Sequence, residues 1–222
     1  MRFSYAVLFA GLLFLLGCFS SLVFLRYDIP LVSVDRPANV KKKYGAFESI
    51  TLKGENQYFY SDSLIDAVFA FVQEDITFSI LNKSDQTMKL IWDDAGFIEP
   101  DKSLTKIMHV GVKYADRNNS MPPSIIPRHG KLEDLATPVD RIYWREGYYS
   151  KYGSSPGGWE NKGIFPWFTT TMPADSFLIA NKKYVGSNVG LLLPLEIEGV
   201  KNEYTFWFEV KDVKVSTTST KE

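Results

Sequence analysis

Cysteine and histidine are nearly missing from this sequence: there is one Cys, Cys18, and two His, His109 and His129. A lone thiol excludes an intrachain disulfide, so the core must hold by packing alone. Two imidazoles leave little material for metal or acid–base chemistry, and no compact H-E-x-x-H pattern occurs. There is no G-x-S-x-G nucleophile turn. The stretch Ser154-Ser155-Pro156-Gly157-Gly158 lacks the Lys-Ser/Thr that a phosphate-binding loop needs, and it reads as a flexible turn. An excess of one charge is missing as well. The 25 Lys and Arg nearly cancel the 26 Asp and Glu, leaving a net charge of −1. No overall field recruits nucleic acid or an anionic surface. The only basic run, Lys41-Lys42-Lys43, reads as a solvated stretch. A helical period sustained over ten residues is also absent after the N-terminal run.

What is abundant is aromatic. Phe, Trp and Tyr make up 15% of the chain, within 45% hydrophobic and 23% charged residues, which is the balance of a folded protein. Aromatic and β-branched side chains suit pleated, half-buried surfaces, so strands are favoured over helices. The 222 residues suffice for one domain and an anchor.

The N-terminus carries the strongest signal. After Arg2, residues 3–25 hold no charge and are mostly apolar, and Arg26 closes the run. A short basic start and an apolar stretch describe an export signal. Leu15-Leu16-Gly17-Cys18 resembles a bacterial lipobox. That resemblance implies a Cys18 thiol carrying a diacylglyceryl group and a signal of residues 1–18 that is removed. Phe19 follows the cysteine where an aspartate, under the enteric sorting rule, would retain a lipoprotein at the inner membrane. The implied location is the envelope, at the outer membrane rather than the inner. Two other readings stay open: an uncleaved span, for which ~20 apolar residues suffice, and a plain cleaved signal.

Residues 19–45 read as a tether, because Pro30, Pro37, the lysine run and Gly45 interrupt any period. The domain is expected over residues 46–215 and a frayed polar tail over 216–222. Alternation with period two dominates the domain. Ile76, Phe78 and Ile80 alternate with polar neighbours, turn chemistry follows at residues 82–85, and Met88, Leu90 and Trp92 continue as a strand. Residues 107–114 are predicted as another strand, and Ile65, Ala67, Phe69 and Phe71 favour a strand over a helix. Leu191, Leu193, Leu195 and Ile197 face Tyr204, Phe206, Phe208 and Val210 across a turn at residues 199–203. Short strands in succession predict an antiparallel β-sandwich. Residues 118–167 hold little regular pattern and read as a long irregular loop region, where function often resides.

The segments Phe78…Asn82…Ile91-Trp92-Asp93, His109-Val110-Gly111-Val112, Ser124-Ile125-Ile126-Pro127, Pro138, Leu193-Pro194-Leu195 and Tyr204-Thr205-Phe206 resemble a group of uncharacterised bacterial envelope lipoproteins. The resemblance covers residues 58–212. It implies an all-β fold with an immunoglobulin-like sandwich and an envelope location, and it transfers no catalytic residue.

Residue chemistry points away from an enzyme. His109 and His129 with Asp93, Asp94 and Asp116 match no metal spacing. Ser120 or Ser124 with His129 and Asp140 is the one hydrolase constellation the sequence offers. The pairs Asp93-Asp94 and Glu133-Asp134 point to opposite faces if they lie on strands. No cofactor, metal or nucleic acid is expected. The partner candidates are the membrane, an envelope protein and, as the second reading, a glycan. The contact residues expected for either macromolecule are Tyr143, Trp144, Tyr148, Tyr149, Trp159 and Trp167, because aromatic rings bury large area at low rotamer cost.

Overall fold

The computed structural model describes residues 22–36, 38–44, 48–54, 56–72 and 74–216. The fold is all-β and antiparallel. The chain opens with β1 (Val23–Asp28), β2 (Leu31–Asp35) and a short helix α1 (Ala38–Tyr44). A meander follows: β3 (Glu48–Gly54), β4 (Gln57–Asp62), β5 (Ile65–Phe71) and β6 (Ile76–Asn82). Next come β7 (Met88–Leu90), β8 (Gly96–Ile98), β9 (Leu104–Met108), β10 (Ser124–Ile126) and β11 (Lys131–Pro138). Four short strands, β12 (Ile142–Arg145), β13 (Tyr148–Ser150), β14 (Gly153–Ser155) and β15 (Gly158–Asn161), precede β16 (Phe168–Thr169) and helix α2 (Ala174–Asn181). The chain finishes through β17 (Asn188–Ile197), β18 (Val200–Glu209) and β19 (Asp212–Ser216).

Twelve strands form one sheet. Its path runs β10-β7-β17-β8-β9-β11-β6-β5-β4-β3, and β18 and β2 extend it from β17. β2 also lies beside β3, so the two ends of the sheet approach and nearly close it. Every pairing is between strands that the two-residue side-chain period can polarise, and the inward residues fill the centre. Ile76, Phe78 and Ile80 of β6, Ala67 and Phe69 of β5, and Tyr204, Phe206 and Phe208 of β18 are all buried. Phe69 and Phe206 meet with ring centroids 4.3 Å apart. Each such ring contributes about 1.5–3 kcal/mol through burial.

The β17–β18 hairpin agrees with the alternation in its sequence. Its turn is tighter than expected, limited to Glu198 and Gly199, with Ile197 paired to Val200. Both turn residues have positive φ, 51° and 76°, the geometry that matches strand twist in a two-residue hairpin.

Four expectations need correction, the first being the strand through Met88, Leu90 and Trp92, which stops at Leu90 where Trp92–Asp94 form a short 3-10 helix. From residue 22 the expected tether is structured: β1 pairs with β19, β2 pairs with β18, and Val40 of α1 is fully buried. Pro30 connects β1 to β2, and its carbonyl accepts the Glu209 amide at 3.1 Å. It punctuates strands rather than preventing them, because the connector needs no donor there. The predicted strand at residues 107–114 ends at Met108, where β9 gives way to a turn with Gly111 at φ 89°. The region 118–167 is not irregular throughout. β11 sits inside the sheet between β6 and β9, hidden from pattern reading because Glu133 and Asp134 interrupt its apolar positions. Cys18, the signal, Phe19 and residues 217–222 lie outside the described residues. Among the described residues no helix is long and apolar enough to cross a membrane.

A second, smaller core lies at the chain's entry. Val23, Leu25 and Val213 pack with Phe177 of α2, beneath the three-stranded sheet β16-β1-β19.

Candidate functional site

β12 to β15 form one interrupted hairpin. β12 pairs with β15 and β13 with β14, so residues 142–161 run out and back. Between the two ladders the strands draw together at Gly147 and Gly157. A Cβ on Gly147 would stand 2.6 Å from the Gly157 amide nitrogen, and one on Gly157 would stand 2.9 Å from the Trp144 ring. Only glycine fits this waist.

The hairpin carries exposed aromatics on both faces. Trp144 is 48% exposed and Tyr149 is 90% exposed, and Tyr143, Tyr148, Tyr152 and Trp159 are exposed too. Trp144 and Trp159 stand directly opposite one another. Their rings meet edge to face, 5.5 Å apart at 76°. The Arg117 guanidinium covers the Trp159 ring at 4.7 Å. On the other face the Tyr143 hydroxyl donates to Glu160 Oε2 at 2.8 Å, and Arg145 pairs with Glu160 while donating to Ser155 Oγ at 3.1 Å. The Arg145 and Tyr143 hydrogen bonds hold the Glu160 carboxyl below its usual range, and the bond to Glu160 raises the Tyr143 phenol. The charges thus brace the hairpin and leave the rings to face outward.

The structure divides the expected contact residues. Tyr143, Trp144, Tyr148, Tyr149 and Trp159 share the hairpin. Trp167 does not: it is half-buried and stacks on Phe24 at 5.7 Å and 20°, beside β1. Arg117, Arg145 and Glu160 escaped sequence reasoning. Arg145 and Glu160 flank the two glycines symmetrically enough to suggest a hairpin, but Arg117 comes from a distant turn and leaves no local signal.

The Ser, His and Asp of the expected hydrolase constellation are engaged with other neighbours. His129 is exposed, with Nε2 3.1 Å from Asp85. Ser124 Oγ accepts the Trp92 indole N–H at 2.8 Å, Ser120 bonds Asp93, and Asp140 neighbours Arg141. His109 stacks on Trp92 with centroids 4.1 Å apart and faces Asp134 at 3.4 Å. Asp93 and Asp94 line one cleft with Lys106, Lys201 and Glu203, the first bonded to Ser120 and the Met121 amide, the second to Lys201. Glu133 pairs with Lys131, while Asp134 accepts the amides of Val110 and Leu135. Asp116 bonds Asn119 at 3.3 Å. Among the described residues no group of three or more His, Cys, Asp or Glu could hold a metal ion.

No protein-family model matches this chain, and no curated protein or solved structure matches it.

Proposed function

We propose that this protein is a bacterial envelope lipoprotein, anchored through Cys18 at the outer membrane, whose all-β domain works as a non-enzymatic interaction module. The observation that carries the reading is the hairpin of residues 142–161, which exposes six large aromatic side chains, Tyr143, Trp144, Tyr148, Tyr149, Tyr152 and Trp159. Exposed aromatics on a braced element are the usual anchors of protein interfaces. A protein partner fits better than a glycan. Trp144 and Trp159 form an edge-to-face ridge with Arg117 over one of them, an edged and charged surface that suits a protein groove. The occupant is therefore a groove or pocket on another envelope protein. The immunoglobulin-like sandwich implied by the family resemblance is supported by antiparallel strands with one buried face. The near-closed course of a single sheet is the feature that this finer reading has to accommodate.

A photo-crosslinking amino acid at Trp144 or Tyr149 of the full-length protein in living cells tests the reading. The expected result is one discrete adduct shared by both positions and missing from Ile125, an exposed site on β10. Adducts of equal pattern from all three positions, or none, would remove the hairpin as a contact surface.

A further inference from the structure

We infer that the outer face of β1 and β16, with Leu22, Phe24, Trp167 and Phe168, is a membrane-contact patch that seats the domain on a phospholipid surface. The inference rests on the proposed anchoring at Cys18. In β1, Val23 and Leu25 turn inward to the small core. Alternation therefore sends Phe24 and Arg26 to the opposite face. Directly opposed residues of an antiparallel pair share a face. Phe168 stands opposite Phe24 on one side of β1, and on the other side Lys214 stands opposite Arg26. Trp167 stacks on Phe24 at 5.7 Å and meets Phe168 in a tilted contact, 4.7 Å apart at 58°. Leu22 is 50% exposed and Phe168 46% exposed. The face thus runs along the strand from apolar at its start, through basic Arg26 and Lys214, to acidic Asp28 and Asp212. Lys214 keeps its side chain 79% exposed while holding Asp212 at 2.9 Å.

Chain length says what covers this apolar end. Leu22 follows Cys18 by four residues, a reach of at most about 14 Å. An acylated Cys18 cannot leave the bilayer, so this edge of the domain is held against it. Leu, Phe and Trp beside Arg and Lys are the side chains that suit the boundary between acyl chains and headgroups. The consequence is an oriented domain rather than one swinging on a long tether.

The test uses the full chain, purified with its N-terminal processing and reconstituted in vesicles of phosphatidylethanolamine and phosphatidylglycerol. Phe168→Cys is labelled with an environment-sensitive fluorophore, Leu22→Cys serves as a second patch site, and Tyr149→Cys is the control. Interfacial residues sit roughly 5–10 Å into the headgroup and acyl boundary, so lipids brominated high on the acyl chain should quench the patch labels about twofold and spare the control. Vesicle flotation and the mass of the Cys18 peptide are read in parallel. Co-flotation with equal quenching at all three sites overturns the patch and leaves the anchor standing. An unacylated Cys18, whose free thiol would take the label in all three variants, overturns the lipid anchor and the seating argued from it. Failure to float overturns both.

Discussion

Arg36 and Asp62 face each other at 3.2 Å with neither side chain touching solvent. Asp62 accepts four further hydrogen bonds, from the Tyr60 and Tyr204 hydroxyls at 3.0 and 2.9 Å and from the Leu64 and Ile65 amides at 2.7 and 2.8 Å. One carboxylate therefore ties the end of β2 to β4, to the turn before β5 and to β18. The environment pushes the Tyr204 phenol far up, chiefly through burial and then through the Asp62 charge.

Asp62→Ala should be the most damaging single change in this network. It removes the buried carboxylate that faces the Arg36 guanidinium and accepts from the Tyr60 and Tyr204 hydroxyls, and breaking a buried pair from one side costs about 3–5 kcal/mol. Urea unfolding would show it as a lowered midpoint. A loss below about 1 kcal/mol would mean that water or rearrangement compensates.

The hairpin should separate stability from contact. Tyr149→Ala removes a side chain that is almost wholly exposed, and surface changes of this kind usually stay within about 0.5 kcal/mol. The same substitution should weaken the crosslinked partner's binding by about 2 kcal/mol if Tyr149 is an anchor. In a double-mutant cycle, Trp144→Ala and Trp159→Ala should couple by about 0.5–1.5 kcal/mol, the range of edge-to-face ring pairs. Unchanged binding in Tyr149→Ala at wild-type melting temperature would argue against the tip as a contact.

Asp75 predicts a pH dependence. Burial raises its carboxyl above the usual range, with the Thr137 hydroxyl bond opposing. A carboxyl raised in the fold holds its proton where the unfolded chain has lost it. Its effect on stability is therefore most favourable below the unfolded value and declines as pH rises through the folded one. Asp75→Asn keeps an acceptor for Thr137 and cannot ionise. It should gain stability relative to wild type between acidic and neutral pH, read from urea midpoints at each pH. A constant difference at every pH would refute the assignment.

Cys18 has its own test. Labelled fatty acid should enter the wild-type protein and not Cys18→Ser, which should accumulate as unprocessed precursor. Absence of label from the wild type would end the lipobox reading.

Two parts of the architecture were legible in different degrees. The β5, β6 and β18 strands announce themselves because buried residues alternate with more accessible ones, so burial writes a period of two into the residues, whereas β17 buries Gly190 and Pro194 of its second face as well. β11 is central yet obscure, since Asp134 on it serves backbone amides rather than solvent, and a polar residue in that role looks like a loop. The tether was misread for a related reason. Prolines and lysines between residues 30 and 43 describe connectors, and nothing local tells that Val23 and Leu25 find Phe177, or that Val40 enters the main core.

By itself the sequence determined the strand-rich class, the buried faces of the last two long strands, the absence of disulfide support and the concentration of aromatics after residue 142. Those properties are local or compositional. Tertiary structure alone decided that these aromatics belong to two surfaces. Five of the six expected contact residues project on the hairpin, while Trp167 turns to Phe24 at the point where the chain enters the domain. Chain neighbours with equal hydrophobicity part there because pairing partners 143 residues away, from Phe24 at one end to Trp167 at the other, are set by packing and not by period.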